Sequence, residues 1–262
     1  MAEITTELVK ELRDKTNVSI MQCKKALEET GGDIEAAMLV LRKISGEVAS
    51  KKADRETSAG IIGVAQNGNK AVMVTLNCET DFVAQNEDFK KALATITQIY
   101  LDKGEDALKS ESEPIIKELV LKIGENIVLG EYKEISGDTL GVYLHHNQKT
   151  ACVVSLEGGD ESTAKDIAMH IAAMNPKVIS KEDIDPADME KTTEFFKGEV
   201  EEQAAGKPED IKQKMLDGKI SSYLKDVVLV EQPFFKDESK SIKDVLGSAG
   251  AKVVAFERTR IL

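Results

Sequence analysis

The sequence has no tryptophan, and aromatic residues of all kinds make up only 4% of its 262 positions. Its three cysteines, Cys23, Cys78 and Cys152, stand far apart with no CxxC pair, which argues against a disulfide frame and fits a reducing cytoplasm. The opening MAEITTELVK lacks the apolar stretch of a signal peptide, and no run approaches the roughly 18–20 apolar residues that cross a bilayer. A cytoplasmic protein with no membrane attachment is therefore expected. Neither GxxxxGK[ST] nor a GxGxxG after a strand occurs, so the usual backbone cradles for a nucleotide phosphate are missing. A basic footprint is missing too: the net charge of −12 argues against direct binding of nucleic acid, which needs cations to displace counterions. Acidic and basic residues balance in residues 1–55, so the excess of acid lies wholly beyond them.

Hydrophobic residues reach 41%, enough for a sizeable core in roughly two or three compact units. The first unit, residues 1–50, reads as three helices. Ile4, Leu8 and Leu12 recur at helical spacing; Ser19 is placed to cap a second helix through Met21, Ala26 and Leu27; Gly31-Gly32 stops it. Asp33 then caps a third helix carrying Ile34, Ala37, Met38 and Leu41. With its LEETGGDIEAA passage this unit resembles a ubiquitin-associated-like (UBA-like) domain, a docking module too small for a catalytic cleft. The polar stretch Ser50 to Ser58 reads as a connection, giving a linker over 51–59.

Beyond Gly60 the hydrophobic period changes from helix to strand. Ile61–Ala65 and Ala71–Leu76 predict a hairpin about Asn67-Gly68, followed by a helix from about Glu87 to Leu101. A second helix is expected to open with Pro114 in its first turn and end near Gly124, and a strand to follow over Ile127–Ile135. The pattern then repeats weakly. Gly63-Val64, a polar turn and Ala71–Leu76 are echoed by Gly141-Val142, a polar turn and Ala151–Leu156, each copy leading through an acidic loop to a helix. Asp185-Pro186 starts a helix that Gly206-Lys207-Pro208 breaks; Met189, Phe196 and Val200 on one arm and Ile211, Met215, Leu216, Ile220 and Tyr223 on the other predict an antiparallel, coiled-coil-like hairpin over 186–226. A strand at Val227–Val230, a short helix from Ser241 and a strand from Lys252 to about Arg258 close the chain. The expected fold is α+β: the three-helix UBA-like unit, two related antiparallel-sheet-plus-helix subdomains over 60–139 and 140–262, and the helical hairpin inserted in the second.

Few residues invite a chemical reading. His145, His146 and Cys152 could be drawn as zinc ligands, but adjacent strand residues point to opposite faces and no HExxH or CxxC spacing supports them. Cys78 could be drawn as a nucleophile, yet no local motif accompanies it, and an apolar strand end is a common home for an inert thiol. Glu157 and Asp160 read as solvated loop charges. Phe82 is the open case. It follows Asn77, Glu79, Thr80 and Asp81 and precedes Gln85 to Asp88, outside any clear period. It either folds back into the core, as large aromatics usually do, or stands out as an anchor on a strand-to-helix loop.

Taken in order, Leu8-Val9-Lys10-Glu11-Leu12-Arg13, Cys23-Lys24-Lys25-Ala26-Leu27, Asn77-Cys78-Glu79-Thr80-Asp81-Phe82-Val83, Lys122-Ile123-Gly124-Glu125-Asn126-Ile127, Ile167 to Ala173, Gly206-Lys207-Pro208 and Gln232-Pro233-Phe234 resemble the bacterial elongation factor Ts family over nearly the whole chain. The resemblance implies a guanine-nucleotide exchange factor, acting by protein binding rather than as an enzyme, whose partner is the GTPase elongation factor Tu. It implies that Thr80, Asp81, Phe82 and Val83 disturb the partner's magnesium-binding region, and that Lys10, Leu12, Arg13 and Met21 form an N-terminal contact and His145 a second one. It implies no cofactor or metal held by this chain. Two departures stand out: Asn17-Val18-Ser19-Ile20-Met21 replaces the family's usual glycine and paired methionines, and the sequence ends at Leu262, where longer members add a helical module. The competing readings are an adaptor that binds another protein through its UBA-like unit and a Cys78-dependent enzyme.

Overall fold

The computed structural model describes residues 4–16 and 18–261. Asn17 of the divergent loop, the first three positions of MAEITTELVK and Leu262 lie outside the described residues.

The chain begins with α1 (Thr6–Thr16), α2 (Ile20–Glu29) and α3 (Ile34–Lys52). Ser19 and Asp33 cap α2 and α3 by accepting the Gln22 and Ala36 N–H groups, which would otherwise lack partners in the first helical turn. Val9, Leu12, Cys23, Ala26, Leu27, Ala37 and Leu41 form a core that also takes in Leu121 from a later helix. The expected linker needs correction at both ends. Helix α3 runs on through Lys52 because Val48 and Ala49 find apolar cover against the next core, and Ala59 already belongs to a strand.

Strands β1 (Ala59–Asn67) and β2 (Lys70–Cys78) pair from Asn67↔Lys70 outward, with Gly68 at φ 55° in the turn, and β3 (Ile127–Ser136) adds on the far side of β2. A second antiparallel sheet joins β4 (Thr139–Leu144), β5 (Thr150–Glu157) and the closing strand β8 (Lys252–Arg260); a small ribbon, β6 (Pro233–Phe234) and β7 (Asp237–Ser241), lies outside it. The two sheets face each other across Ile62, Met73, Ile135, Leu140, Val153 and Ile261. On the outer face of the first, Val72, Val74 and Leu76 lie under α5 (Glu87–Lys103) and α6 (Glu105–Ile123). On the outer face of the second, Cys152, Val154 and Leu156 lie under α7 (Glu161–Met174). Both central strands are thus covered on both sides, which is why each is apolar on both faces, broken only by Thr75 and Ser155 at matching places, instead of alternating apolar and polar.

The sequence echo has a geometric counterpart. Gly63 pairs with Val74 and Gly141 with Val154, at matching places in the two hairpins. At each, a helix approaches so closely that a Cβ would overlap it: on α5 the Thr97 hydroxyl, on α7 the Ala164 carbonyl. The register slip beside Val74 in one sheet also matches the slip at Ser155/Leu156 in the other.

Three expectations fail. Pro114 sits inside α6 instead of opening it; the helix begins at Glu105 and survives the lost N–H because Leu108, Leu119 and Val120 pack into the core on both sides of it. Val227–Val230 is not a strand: helix α9 (Glu209–Val227) reaches it, and a 3-10 turn at Leu229–Glu231 follows, with the Leu229 and Val230 N–H groups donating to the Val178 and Ile179 carbonyls. Between α8 (Pro186–Gln203) and α9 the hairpin closes over Val200, Ala204 and Leu216 with Phe196, Met215 and Ile220, but Ile211 is exposed near the tip, where the opposing arm offers no cover. A final short helix, α10 (Ile242–Ser248), carries the capping box between Ser241 and Asp244.

Candidate functional site

The loop leaving β2 resolves the open case. Phe82 is 89% exposed, on a single-turn helix α4 (Asp81–Ala84), while the next two residues, Val83 and Ala84, turn inward to the core. A short helix displays a bulky ring in solvent only if its ends are fixed by other means, and several interactions fix them. The Thr80 hydroxyl caps the turn by accepting the Val83 N–H at 3.4 Å. Thr80 is itself held by Glu125, which takes the Thr80 N–H on one carboxylate oxygen at 3.0 Å and the Thr80 O–H on the other at 2.7 Å. At the far end Asn86 caps α5 by accepting the Asp88 and Phe89 N–H groups.

The same α6–β3 turn holds more of the neighbourhood. Gly124 ends α6 at φ 88°, a left-handed conformation that favours glycine, and aims the next two residues at the loop. The Asn126 N–H donates to Glu79 at 2.6 Å, and its side-chain amide, almost fully buried, donates to the Arg55 carbonyl at 2.7 Å. The Arg55 guanidinium also meets Glu79 at 3.3 Å. The Asn126 N–H first, and Arg55 after it, hold the Glu79 carboxyl below the usual carboxylate range. The Lys52 ammonium donates to the Gly124 carbonyl. On the other flank, Lys149 reaches across from the β4–β5 turn to Asp81 at 2.9 Å. That turn carries His145, half-buried, whose ring nitrogen Nδ1 lies 2.8 Å from the Tyr143 hydroxyl, and it is tied to the first sheet by the Ile62 N–H donating to the Gln148 carbonyl. Asp81 and the His145 turn therefore share one edge of the molecule, although 64 positions separate Asp81 from His145 in the chain.

The other expected site residues divide. Lys10 and Arg13 are exposed on α1, and Met21 is 70% exposed on α2 beside exposed Ile20. Leu12 is not available to a partner: it is wholly enclosed within the three-helix core, on the opposite face of α1 from its charged neighbours. Cys78 is a poor nucleophile. Burial pushes its thiol up to about 12, with the Glu125 charge acting the same way, and its S–H is occupied by the Thr80 carbonyl at 3.2 Å. The single buried histidine, His170, lies in the other core between Gln232 and Phe235. His145, His146 and Cys152 do not converge: the last faces α7, and no group of three or more possible ligands is close enough to hold a metal among the described residues.

Glu125 and Asn126 stand within one of the resembling motifs, where nothing local shows their task, and Arg55 and Lys149 lie outside all of those motifs. A charged residue directly after a helix-stopping glycine was the available signal for the first; the other pairings span too much chain for any spacing rule.

A sequence profile of the family described as "Elongation factor TS" matches residues 79–261. The chain is 41% identical over 267 aligned positions to "Elongation factor Ts" of Hahella chejuensis, covering all of this chain and 93% of that protein. Against "Elongation factor Ts" of Marinobacter nauticus the identity is 39%, covering 100% and 92%, and against that of Pseudomonas syringae pv. syringae it is 40%, covering 98% and 90%. With a projecting aromatic on a clamped loop and this likeness over its full length, the chain belongs to the elongation factor Ts family.

Proposed function

We propose that the protein is a guanine-nucleotide exchange factor for elongation factor Tu, working in the cytoplasm by lodging Phe82 in the GTPase and loosening its magnesium-held GDP so that GTP can rebind. The observation that carries this reading is the exposure of Phe82 on a loop that Glu125 holds by two hydrogen bonds to Thr80, since an anchor that is positioned before contact loses less entropy on binding. Aromatic anchors of this kind carry much of the energy of protein interfaces. Thr80 and Val83 position the turn from within, and Asp81 and Phe82 face outward. Exposed Lys10, Arg13 and Met21 would make the N-terminal contact, and His145 a contact on the edge beside Asp81; Leu12 supports α1 from inside. In this reading residues 1–50 and the two sheet-plus-helix units over 60–139 and 140–262 act as separate footholds, with the 186–226 hairpin free of a task.

Exchange by this route is reciprocal: a factor that weakens nucleotide binding is weakened by nucleotide to the same degree. Burying one Phe is worth about 1.5–3 kcal/mol, or roughly tenfold to a hundredfold in an equilibrium. The ring alone therefore supplies part of the effect, and the N-terminal and His145 footholds supply the rest by holding the partner in a distorted state. The test is stopped-flow release of a fluorescent GDP from Tu. The chain is expected to accelerate release, and Phe82→Ala to lower the acceleration by roughly tenfold or more while leaving the unfolding free energy within about 0.5 kcal/mol. No acceleration by the unaltered chain rejects the proposal.

A further inference from the structure

Six hydrogen bonds converge on the three-residue turn between α6 and β3. Glu125 receives both donors of Thr80, Asn126 joins Glu79 to the Ala53 and Arg55 carbonyls, and Gly124 receives Lys52. Lys52 is the last residue of α3, and Arg55 lies in the connection that follows it. One short turn thus grips the loop that carries Phe82 and, at the same time, the strand of chain leading from the three-helix unit. Nothing else in the described chain holds Thr80 from outside its own loop by more than one hydrogen bond.

We infer that Glu125 is a positioning residue for exchange, setting the attitude of Phe82 through Thr80, and that Asn126 extends the same bracket to the three-helix unit. This rests on the exchange-factor reading. The chemistry suits a carboxylate. Thr80 presents two donors, its N–H and O–H, and the carboxylate takes each on a separate oxygen. With its O–H committed to Glu125, the Thr80 oxygen keeps its lone pairs for the Val83 N–H, which is the cap of α4. An amide at position 125 offers one acceptor oxygen and an NH2 group in place of the other. Either both Thr80 donors crowd onto that one oxygen or the hydroxyl turns round to accept from the NH2, and in neither case do the three groups keep their present geometry. Asp at 125 retains both oxygens but is one methylene short of Thr80. Hydrogen bonds to a charged group count for more than neutral ones, so the change reaches the ring without any alteration of the ring itself.

The experiment uses the full chain with Tu and fluorescent GDP, comparing Glu125→Gln, Phe82→Ala and the double variant Glu125→Gln/Phe82→Ala. Glu125→Gln is expected to lower the acceleration of GDP release about fivefold to tenfold. In the Phe82→Ala background Glu125→Gln should cost little more, because its effect runs through the ring. Amide hydrogen exchange on the free chain gives a reading that does not involve Tu: protection at Thr80 and Val83 should fall in Glu125→Gln while the strands of the first sheet keep theirs. If the unaltered chain accelerates release and Glu125→Gln matches it, or if the two substitutions are additive, the positioning role is wrong and the exchange reading stands. If the unaltered chain fails to accelerate release, the exchange reading falls, and loss of protection at Thr80 and Val83 then supports only the bracket.

Discussion

The two hairpin-and-helix halves are built alike and end differently. In each, a glycine on the first strand admits a helix against the sheet, the central strand is buried on both sides, and a polar loop leads into the helix. After β5 the loop is Gly158-Gly159-Asp160, with both glycines at positive φ, and Gly158 passes so close to the Gly250 carbonyl that a side chain there would collide with it. Asp160 caps α7 by accepting the Thr163 N–H at 2.7 Å, which holds its carboxyl below the usual range. After β2 the loop has no glycine; it has Thr80 as a cap, Glu125 behind it and Phe82 in front. One loop is tucked against its own chain and the other is offered outward. A common scaffold therefore says little about function here, and the few residues between strand and helix say most of it.

The largest effects should come from the shared feature. At Gly141 an added Cβ would sit 2.0 Å from the Ala164 carbonyl, which is helix backbone and cannot move without the whole of α7. At Gly63 the nearest atoms, the Thr97 hydroxyl at 2.3 Å and the Leu93 side chain, can rotate. Gly141→Ala is expected to cost about 3 kcal/mol and Gly63→Ala about 1 kcal/mol in urea unfolding. Equal costs would mean that the two helix-to-strand contacts are not the same kind of joint with different atoms at the contact.

How far the sequence itself exposes this comparison depends on range. The Asn67-Gly68 turn, the caps at Ser19 and Asp33 and the echoed Gly-Val strands are local, and each appears where its residues imply. Local rules mislead where tertiary packing overrides them: Pro114 is absorbed into a helix anchored at both ends, and Val227–Val230, β-branched and apolar, plugs a core as a turn. Leu12 carries the period of a buried face, and that periodicity was a better guide than family likeness to where its side chain goes. Phe82 has no period to read, so its direction depends on Glu125, 43 positions further along the chain. The Thr80 and Asn86 caps are local, but the braces behind them, Glu125 to Thr80, Asn126 to Glu79 and Lys149 to Asp81, are long-range pairings that no spacing rule exposes.

The next effect separates the halves by pH. Only the second contains a buried histidine. His170 accepts the Phe235 N–H on Nδ1 and faces Gln232 through Nε2 at 2.9 Å, and Gln232 in turn donates to the Asp226 carbonyl at the end of α9. Burial lowers its affinity for a proton below the ordinary 6.5. The unfolded chain keeps the ordinary value, so as pH falls through about 6.5 it takes up a proton that the folded chain resists, and stability declines. Above that pH both states are neutral and the group contributes no slope. Thermal unfolding between pH 7.5 and 5.5 should therefore show a falling midpoint that flattens in His170→Gln, even if that variant starts from a lower midpoint.

The smallest effect is the one that tests whether the halves cooperate. Lys149, from the β4–β5 turn, pairs with Asp81 beside the projecting ring, but Asp81 is largely exposed. Exposed pairs contribute about 0–1 kcal/mol, so Lys149→Ala should shift unfolding by less than about 0.5 kcal/mol. Its other consequence is electrostatic. Removing Lys149 leaves the Asp81 carboxylate free to meet a cation on the partner, whereas in the intact chain the two must part before it can. If the pair only shields Asp81, Lys149→Ala should speed association with Tu, most at low salt, and leave dissociation unchanged. If the pair instead helps hold α4 in place, association should be untouched and dissociation should quicken, making the β4–β5 turn a second brace for Phe82 alongside Glu125.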